Sequence, residues 1–337
     1  MTPWRDKVFI VAEAGVNHNG DLQMARVLID AAAAAGCDAV KFQTFRAEAL
    51  ASPQARTAAY QKANGAEECQ LDMLRRLELP YAAHRALKDH ARDKGIAFFS
   101  TAFDPASVDF LQGLDIPIWK IPSGEITNYP FLVRVANMGK PILLSTGMST
   151  TSEIQQAVEV LTSHGANLDR ICILHCNTEY PTPMQDVNLR AMPSIGAACG
   201  TAHGYSDHTL GHTVAVAAVA LGAKVLEKHF TLDRTLPGPD HKASLEPGEL
   251  AALVAAVRDA ERAMGNGIKQ SSASEEKNKT VARKSLIAAR PIRAGEAFSP
   301  ENIAVKRPGT GLSPMRWNEV MGKAAPRDFA PDELIEL

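Results

Sequence analysis

Residues that can bind anions or metal ions recur at the ends of short apolar runs throughout this 337-residue sequence. The set contains lysines, imidazoles, carboxylates, amides and hydroxyls: Glu13, Lys41, Gln43, Thr101, Lys120, Ser123, Ser145, His175, Asn177, Ser206, His208, Glu227 and His229. A single residue of this kind at a strand end is usually a turn or core residue without a ligand. Burying the whole set without a ligand would cost several kcal/mol for each unpaired charge. The pattern therefore predicts one site for a polyanionic substrate and a divalent metal ion.

Two histidines are suited to bind the metal ion, and a group of lysines and hydroxyls is suited to bind the anionic substrate. His208 and His229 follow adjacent apolar runs, and two imidazoles leave most positions around a cation open, which suits Mn²⁺, Mg²⁺ or Co²⁺. The cationic and hydroxyl residues suit a phosphate plus a carboxylate: Lys41, Thr101, Lys120, Ser123, Ser145 and Ser206. A glycine-rich nucleotide loop is not found before a helix, which disfavours ATP and NAD. We interpret His18, His175 and His241 as structural residues or as residues that support the site without contacting a ligand.

The elements that must position these residues are short strands alternating with amphipathic helices. Eight strands are predicted, at Val8–Glu13, Ala39–Gln43, Ala97–Thr101, Ile118–Ile121, Ile142–Ser145, Ile171–Cys176, Ala202–Ser206 and Lys224–His229. Helices are predicted at Leu22–Ala35, Ala83–Lys94, Thr151–His164, Thr213–Leu221 and Pro247–Met264. This alternation predicts a (β/α)₈ TIM barrel, in which the carboxyl ends of all strands meet at one mouth. Because Lys41 and Gln43 are two residues apart on a strand, both should point into that mouth.

Two segments depart from the barrel repeat. Arg46–Pro80 is too long for an ordinary loop, contains a helical piece near Cys69–Leu77, and is interpreted as a lid or a subunit contact. We predict a catalytic barrel at 1–265, an exposed linker at 266–283 and a small β-rich domain at 284–337.

Composition and charge exclude several classes of function. Lys plus Arg total 36 and Asp plus Glu total 38, so the net charge of −2 offers no attraction to nucleic acid or to anionic membranes. Neither a membrane span nor a secretion signal is predicted. The five cysteines are odd in number and scattered, which indicates free thiols and a cytoplasmic protein.

Eight ordered motifs resemble those of the sialic acid synthase family. They are Glu13-Ala-Gly-Val-Asn-His-Asn-Gly-Asp21, Lys41-Phe-Gln43, Phe99-Ser-Thr101, Lys120-Ile-Pro-Ser-Gly-Glu125, Leu144-Ser-Thr-Gly-Met148, Tyr180-Pro-Thr-Pro183, Gly204-Tyr-Ser-Asp-His208 and Glu227-Lys-His-Phe230. Near the carboxyl end, Lys306-Arg-Pro-Gly309 is similar to the antifreeze-like (SAF) domain of that family. The resemblance covers the full length and implies a barrel followed by a SAF domain.

The resemblance implies the condensation of phosphoenolpyruvate with an N-acetylated aminosugar and assigns roles by matching motif. His208 and His229 would bind the metal ion, Mn²⁺ first, and Glu13 would be the acid or base alongside His208 as a catalytic residue. Phosphoenolpyruvate would contact Lys41, Thr101, Lys120, Ser123, Ser145, Asn177, Thr178 and Ser206. The sugar would contact Gln43, Glu125, Tyr180, Asp240 and Arg307. Arg307 would come from a partner subunit, so the resemblance implies a homodimer with shared sites.

Within the family, several positions differ from the members that make N-acetylneuraminate. Phe42, Pro122 and the run Thr178-Glu-Tyr-Pro181 look instead like the branch that makes N,N′-diacetyllegionaminate from 2,4-diacetamido-2,4,6-trideoxymannose. That product is our prediction, and N-acetylneuraminate from N-acetylmannosamine is the alternative. Two more distant alternatives are another metal-dependent barrel aldolase and a carbohydrate-binding protein without catalytic activity.

Overall fold

A barrel of parallel strands occupies most of the chain in the computed structural model, which describes residues 2–52 and 69–337. The strands are β1 (Phe9–Gly15), β2 (Ala39–Thr44), β3 (Ala97–Ala102), β4 (Trp119–Ile121), β5 (Ile142–Ser145), β6 (Ile171–His175), β7 (Ala202–Asp207) and β8 (Val225–His229). Their order is β3-β2-β1-β8-β7-β6-β5-β4. Strands β3 and β4 lie side by side, although no ladder joins them in the described part of the chain. The predicted (β/α)₈ barrel is confirmed.

Helices follow the strands and cover the barrel. Those of the first unit span Leu22–Ala34, Ala47–Leu50, Gln70–Leu77, Tyr81–Asp93, Pro105–Gly113, Tyr129–Ala136, Thr151–Ser163, Ala191–Cys199, Thr213–Ala220 and Pro247–Met264. Polar caps fix where several of them begin. Asp21 accepts hydrogen bonds from the amides of Gln23 and Met24, and Thr150 forms a capping box with Glu153. All the named strands and helices of the prediction are present, with ends shifted by at most about two residues.

The alternation of each strand decides which side chains enter the mouth. Val40 and Phe42 of β2 are fully buried, while Lys41 and Gln43 line the cavity described below. The apolar core contains large side chains with no exposure, among them Ile10, Leu28 and Phe99. Each contributes about 1.5–3 kcal/mol of burial energy, so this core holds the strand ends in place.

The predicted insertion contains a second apolar cluster. Helix Gln70–Leu77 lies where the helical piece was predicted. The cluster consists of Val16, Phe45, Ala47, Ala51, Leu71, Met73, Leu74 and Leu77, and is separate from the barrel core. Residues 53–68 of the insertion lie outside the described residues, so the proposed lid stays a prediction.

A second unit spans Asn266–Leu337. It contains helix Ala273–Ala282, the antiparallel strands β9 (Ser285–Ala288) and β10 (Ile303–Lys306), and helix Trp317–Val320. Its own apolar cluster is built around Leu286, Phe298, Val320 and Phe329. The segment 266–283, predicted as a linker, thus contains a helix, and most of its residues are exposed.

Among the described residues, we find no helix with the length and apolar character needed to cross a membrane.

Candidate active site

A cavity of about 520 Å³ opens at the carboxyl ends of the barrel strands. Its walls include most of the polar residues selected from the sequence: Glu13, Lys41, Gln43, Thr101, Lys120, Ser123, Ser145, Thr178, Tyr180, Ser206, His208, Glu227, His229 and Asp240. Parallel strands therefore bring together side chains that lie up to about 230 residues apart in the sequence.

Two lysines and two glutamates form the floor of the cavity. Lys41 Nζ lies 2.9 Å from Glu13 Oε2 and 3.4 Å from Glu227 Oε2. Lys120 Nζ lies 3.6 Å from Glu227 Oε1. Hydroxyls complete the group, because Lys41 donates to Thr101 Oγ1 at 3.2 Å and Ser206 donates to Glu227 Oε1 at 2.9 Å. All four charged side chains are almost fully buried, so each interacts strongly with its neighbours.

Burial and charge act differently on the two floor carboxylates. Burial raises the pKa of Glu13 to about 7, and the charge of Glu227 raises it too, while Lys41 opposes both. Burial would also raise the pKa of Glu227, but the charges of Lys120 and Lys41 and the hydroxyl of Ser206 lower it to about 2. Near neutral pH, Glu227 is therefore ionised and Glu13 can exchange a proton. A pair of carboxyl groups with separated pKa values is typical of acid–base sites.

The hydroxyls on the β4–β5 side of the cavity are positioned by a close backbone contact. Gly147 donates its amide to Ser123 Oγ at 2.9 Å. A Cβ at position 147 would lie 2.6 Å from Thr178 Cγ2 and 2.9 Å from Ser123 Oγ, so any other residue would displace these two side chains from the cavity wall. Ser145 Oγ is buried and has no hydrogen-bond partner among the described residues. An unpartnered buried hydroxyl at a cavity wall can bind a ligand oxygen.

The two candidate metal-binding imidazoles lie together. The ring centroids of His208 and His229 are 5.4 Å apart, with planes inclined at 59°. His208 Nδ1 faces the carbonyl oxygen of Asn177 and must donate to it, which leaves Nε2 as the acceptor. Burial lowers the pKa of His208 to about 4 and lowers that of His229 well below its ordinary value. Both rings are therefore neutral near pH 7, the state that binds metal ions.

The donor set around these rings fits a divalent cation. His229 Nδ1 is buried without a hydrogen-bond partner among the described residues, and the Asp240 carboxylate lies 3.9 Å from it. Within the described ranges, no group of three or more histidine, cysteine, aspartate or glutamate side chains is placed to hold a metal ion together. The two imidazoles alone would leave most positions around a cation to substrate and water, which is the open arrangement expected from the sequence.

Tyr180 covers both imidazoles. Its ring stacks on His208 with centroids 4.0 Å apart and meets the edge of His229 at 5.5 Å. The contact fixes the orientation of both rings and places a phenol at the cavity wall.

Three predicted site residues are not part of the cavity wall. Asn177 directs its Oδ1 to the amide of Glu179, and its carbonyl accepts from His208. Glu125 accepts from Asn128 Nδ2 on the helical turn after β4. Arg307 belongs to the second unit, where its Nε donates to the carbonyl of Ala282 at 3.2 Å.

Other wall residues had no assigned role in the sequence-based prediction. Glu227 is one of the strand-end residues selected from the sequence, where its two-residue spacing makes it point the same way as His229, but it was assigned no contact with a substrate or a metal ion. Apart from Glu179, the remaining wall residues are apolar or small, and none was assigned a role: Val16, Met73, Leu74, Leu77, Phe103, Pro122, Gly124, Met148, Cys176 and Pro239.

The three histidines interpreted as structural have protein partners. His18 Nδ1 accepts from the amide of Gly20 at 3.0 Å, and His175 Nε2 lies 2.8 Å from the carbonyl of Val187. His241 Nδ1 lies 2.7 Å from Thr231 Oγ1. These contacts support a structural role for all three.

Comparison with known proteins gives consistent matches along the chain. The sequence profile of the NeuB family matches residues 28–269, and that of the SAF domain matches residues 283–336. An N,N′-diacetyllegionaminic acid synthase of Campylobacter jejuni is 52% identical, over 98% of this chain and 99% of that protein. A protein of the same name from Legionella pneumophila is 45% identical, over 93% of this chain and 89% of that protein. The crystal structure of an N-acetylneuraminic acid synthetase from Leptospira borgpetersenii, in complex with citrate, superimposes with a TM-score of 0.71 at 35% identity, over 81% of this chain and 90% of that chain.

Proposed function

The chain belongs to the NeuB family, and from that premise we propose that it makes N,N′-diacetyllegionaminate. The reaction condenses phosphoenolpyruvate with 2,4-diacetamido-2,4,6-trideoxymannose and water, and releases phosphate. The observation that carries this choice of product is the 52% identity, over nearly the whole chain, to a synthase named for it. The polar cavity at the barrel mouth supplies the chemistry that the reaction needs.

Phosphoenolpyruvate binds, in this proposal, over the lysine-rich floor. Lys41 and Lys120 offer two buried ammonium groups to its phosphate and carboxylate. The hydroxyls of Thr101, Ser123, Ser145, Thr178 and Ser206 surround them and add hydrogen bonds. Ser145 Oγ is buried without a hydrogen-bond partner among the described residues, which makes it available for a substrate oxygen. Asn177 stays a predicted contact that would require its side chain to turn away from the amide of Glu179.

A divalent cation, Mn²⁺ first and Mg²⁺ or Co²⁺ as alternatives, held by His208 and His229, would polarise the open-chain aldehyde of the sugar as a Lewis acid. The enol carbon C3 of phosphoenolpyruvate then forms a bond to the aldehyde carbon, and positive charge develops at C2. Glu13 takes a proton from the water that adds to C2, since its pKa of about 7 suits proton exchange, and passes it to the alkoxide formed from the aldehyde oxygen. The bond between C2 and the phosphate oxygen then breaks and the C2 hydroxyl gives its proton to the departing phosphate, so that C2 becomes a ketone. Lys41 and Lys120 stabilise that phosphate.

The sugar lies against the remaining polar wall. Gln43, Tyr180 and Asp240 line the cavity beside the imidazoles and are suited to hold its hydroxyl and amide groups. Glu125 and Arg307 are further proposed contacts. Arg307 reaches the site from the partner subunit of a homodimer, so each site is completed by the other chain. A cytoplasmic location is part of the proposal, supported by five free cysteines.

The test is phosphate release from phosphoenolpyruvate with either 2,4-diacetamido-2,4,6-trideoxymannose or N-acetylmannosamine, with Mn²⁺ present or chelated. We expect turnover with the diacetamido sugar and loss of turnover on chelation. A preference for N-acetylmannosamine would make the enzyme an N-acetylneuraminate synthase. Turnover of other aldehydes without phosphate release would indicate an aldolase, and no turnover of any kind would indicate a binding protein.

His208→Ala and His229→Ala should each lower turnover at least about 1,000-fold and weaken Mn²⁺ binding while leaving the circular dichroism spectrum unchanged. His212→Ala is the matched control, because His212 lies outside the cavity wall. Equal activity of the two histidine variants and the control would contradict the proposed metal site.

A further inference from the structure

One side of the cavity is apolar, although the floor is charged. Val16, Met73, Leu74, Leu77 and Phe103 form this side, which we call the apolar wall. Val16 and the three residues of helix Gln70–Leu77 belong to the apolar cluster of the insertion, and Phe103 packs against it. The proposed chemistry at the floor uses none of these side chains.

The apolar wall lies beyond the strand ends. Val16 follows β1, Phe103 follows β3, and the other three come from helix Gln70–Leu77, whereas the lysines and glutamates of the floor belong to strands. The wall therefore borders the outer part of the cavity on the side of β1, β2 and β3, next to Gln43.

Helix Gln70–Leu77 is held firmly in this position. Gly20 has a φ of +77° and approaches the carbonyl oxygen of Arg76 so closely that a Cβ would lie 2.5 Å from it. Glu78, just after the helix, accepts from the amide of Ala47 at 2.9 Å and from Arg46 Nη1 at 2.6 Å. A wall held from both sides presents a fixed surface to a ligand.

We infer that the apolar wall selects the sugar by binding its methyl groups. This inference rests on the proposed function. The aldehyde carbon must react at the floor, next to His208 and His229, so the opposite end of the open chain extends to the outer part of the cavity. In the diacetamido sugar that end carries a second acetamido methyl and a 6-methyl group. In N-acetylmannosamine it carries hydroxyls, which find no hydrogen-bond partner on the side chains of this wall.

The expected ratio of kcat/KM between the two sugars follows from how apolar pockets discriminate between substrates. One methylene-sized apolar difference changes kcat/KM by roughly 10- to 200-fold, and a hydroxyl left unpaired against an apolar surface adds to that difference. Phosphoenolpyruvate does not contact the wall in this arrangement, so its KM should be independent of the wall.

Leu74 and Leu71 provide a matched pair for the test. Both are buried leucines of the same helix and the same cluster, but Leu74 lines the cavity and Leu71 does not. Leu74→Ala should lower kcat/KM for the diacetamido sugar about 10-fold or more. The same substitution should change kcat/KM for N-acetylmannosamine, or its inhibition constant when it acts as a competing inhibitor, less than about threefold. Leu71→Ala should lower Tm by a similar amount and leave the ratio between the two sugars unchanged. The KM for phosphoenolpyruvate should be unchanged in both variants.

Met73→Gln is a second variant that keeps the length of the side chain and supplies a hydrogen-bond partner. It should shift the ratio of kcat/KM toward N-acetylmannosamine about tenfold. Ratios that stay at the wild-type value in both Leu74→Ala and Met73→Gln, or that shift equally in Leu71→Ala, would overturn the inference while leaving the proposed function intact. Failure of the wild-type enzyme to release phosphate with either sugar would instead overturn the proposed function.

Discussion

Lys41 and Lys120 share the floor of the cavity with Glu13 and Glu227, and the side chains of all four are nearly inaccessible to solvent. Removing one member of such a group leaves a buried charge without compensation. Glu227 is the central member because it lies within 3.6 Å of both lysines. Its place between two lysines could not be deduced from the sequence alone, since Lys41 and Lys120 come from strands distant in the chain and only the closed barrel brings them to Glu227.

Glu227→Gln should lower the free energy of unfolding by about 3–5 kcal/mol, because Lys120 loses its nearest carboxylate. Phosphoenolpyruvate should then raise Tm more in the variant than in the wild type, since its negative charge replaces the missing one. Thermal denaturation with and without phosphoenolpyruvate measures both effects. Exposed Glu159→Gln is the control, and an equal rise in Tm for the variant and the wild type would contradict the proposed binding site.

His18 lies in the loop after β1, and burial lowers its pKa from 6.5 to about 3. In the unfolded chain, His18 is protonated as the pH falls through about 6.5, whereas in the folded protein it stays neutral down to about pH 3. The free energy of unfolding should therefore fall as the pH decreases below 6.5, by up to about 1.4 kcal/mol per pH unit for this residue. His84 acts in the same direction, because burial lowers its pKa too.

Denaturant unfolding between about pH 7 and pH 5 measures this slope. In His18→Asn, which keeps an acceptor for the amide of Gly20, the slope should decrease by the contribution of one histidine. An unchanged slope would mean that His18 does not contribute to the pH dependence.

Strands β7 and β8 carry an ion pair on the face opposite the cavity. Lys228 Nζ lies 2.9 Å from Asp207 Oδ2, both side chains are about 1% exposed, and Asp207 Oδ1 accepts from the amide and hydroxyl of Thr209. Asp207 precedes His208 and Lys228 precedes His229 in the sequence. The ion pair therefore links the ends of β7 and β8, which hold His208 and His229 in place.

Asp207→Ala should lower the free energy of unfolding by about 3–5 kcal/mol and weaken Mn²⁺ binding, because Lys228 stays buried without a counter-charge. Chemical denaturation and equilibrium dialysis measure the two effects. Asp259→Ala, which removes an exposed ion pair with Arg262, should change neither. Normal Mn²⁺ affinity in a folded Asp207→Ala variant would contradict the positioning role.

The secondary structure was predictable where the sequence pattern is strong. Most barrel strands are short, largely apolar runs with polar residues at or near their carboxyl ends, and helix Thr151–Ser163 has both an apolar face and a capping box. Pro105–Gly113, Tyr129–Ala136 and Ala191–Cys199 were not among the named helices. They are only eight or nine residues long, and the last contains both Pro193 and Gly196. Gly196 is needed there because a Cβ would lie 2.6 Å from His203 Nδ1.

At the scale of the whole chain, the division into a barrel and a smaller carboxyl-terminal unit was predictable from the change in composition near Gly265. The polar site was predictable because the carboxyl ends of barrel strands must converge. The apolar wall was not, because helix Gln70–Leu77 reaches the cavity through tertiary packing, and an apolar residue gives the same sequence signal in a core as in a binding site.

Subunit mixing tests the proposal that the sites are shared between two chains. Arg307→Ala and Lys41→Ala should each be inactive alone, and mixed dimers should regain about a quarter to half of the wild-type activity per dimer, since one of the two sites is then intact. Phosphate release from dimers purified with two different tags measures the recovery. Mixing Lys41→Ala with Lys120→Ala is the control. Both lysines belong to the floor of the same barrel, so each site of the mixed dimer keeps one substitution and neither site is intact. Absence of recovery in verified Arg307→Ala and Lys41→Ala mixed dimers would show that the sites are not shared.

The apolar cluster of the insertion is distinct from the core of the barrel. A substitution such as Leu74→Ala therefore leaves no void among the side chains that pack beneath the strands. Substitutions on helix Gln70–Leu77 should therefore change the choice between sugars without altering the side chains that pack inside the barrel.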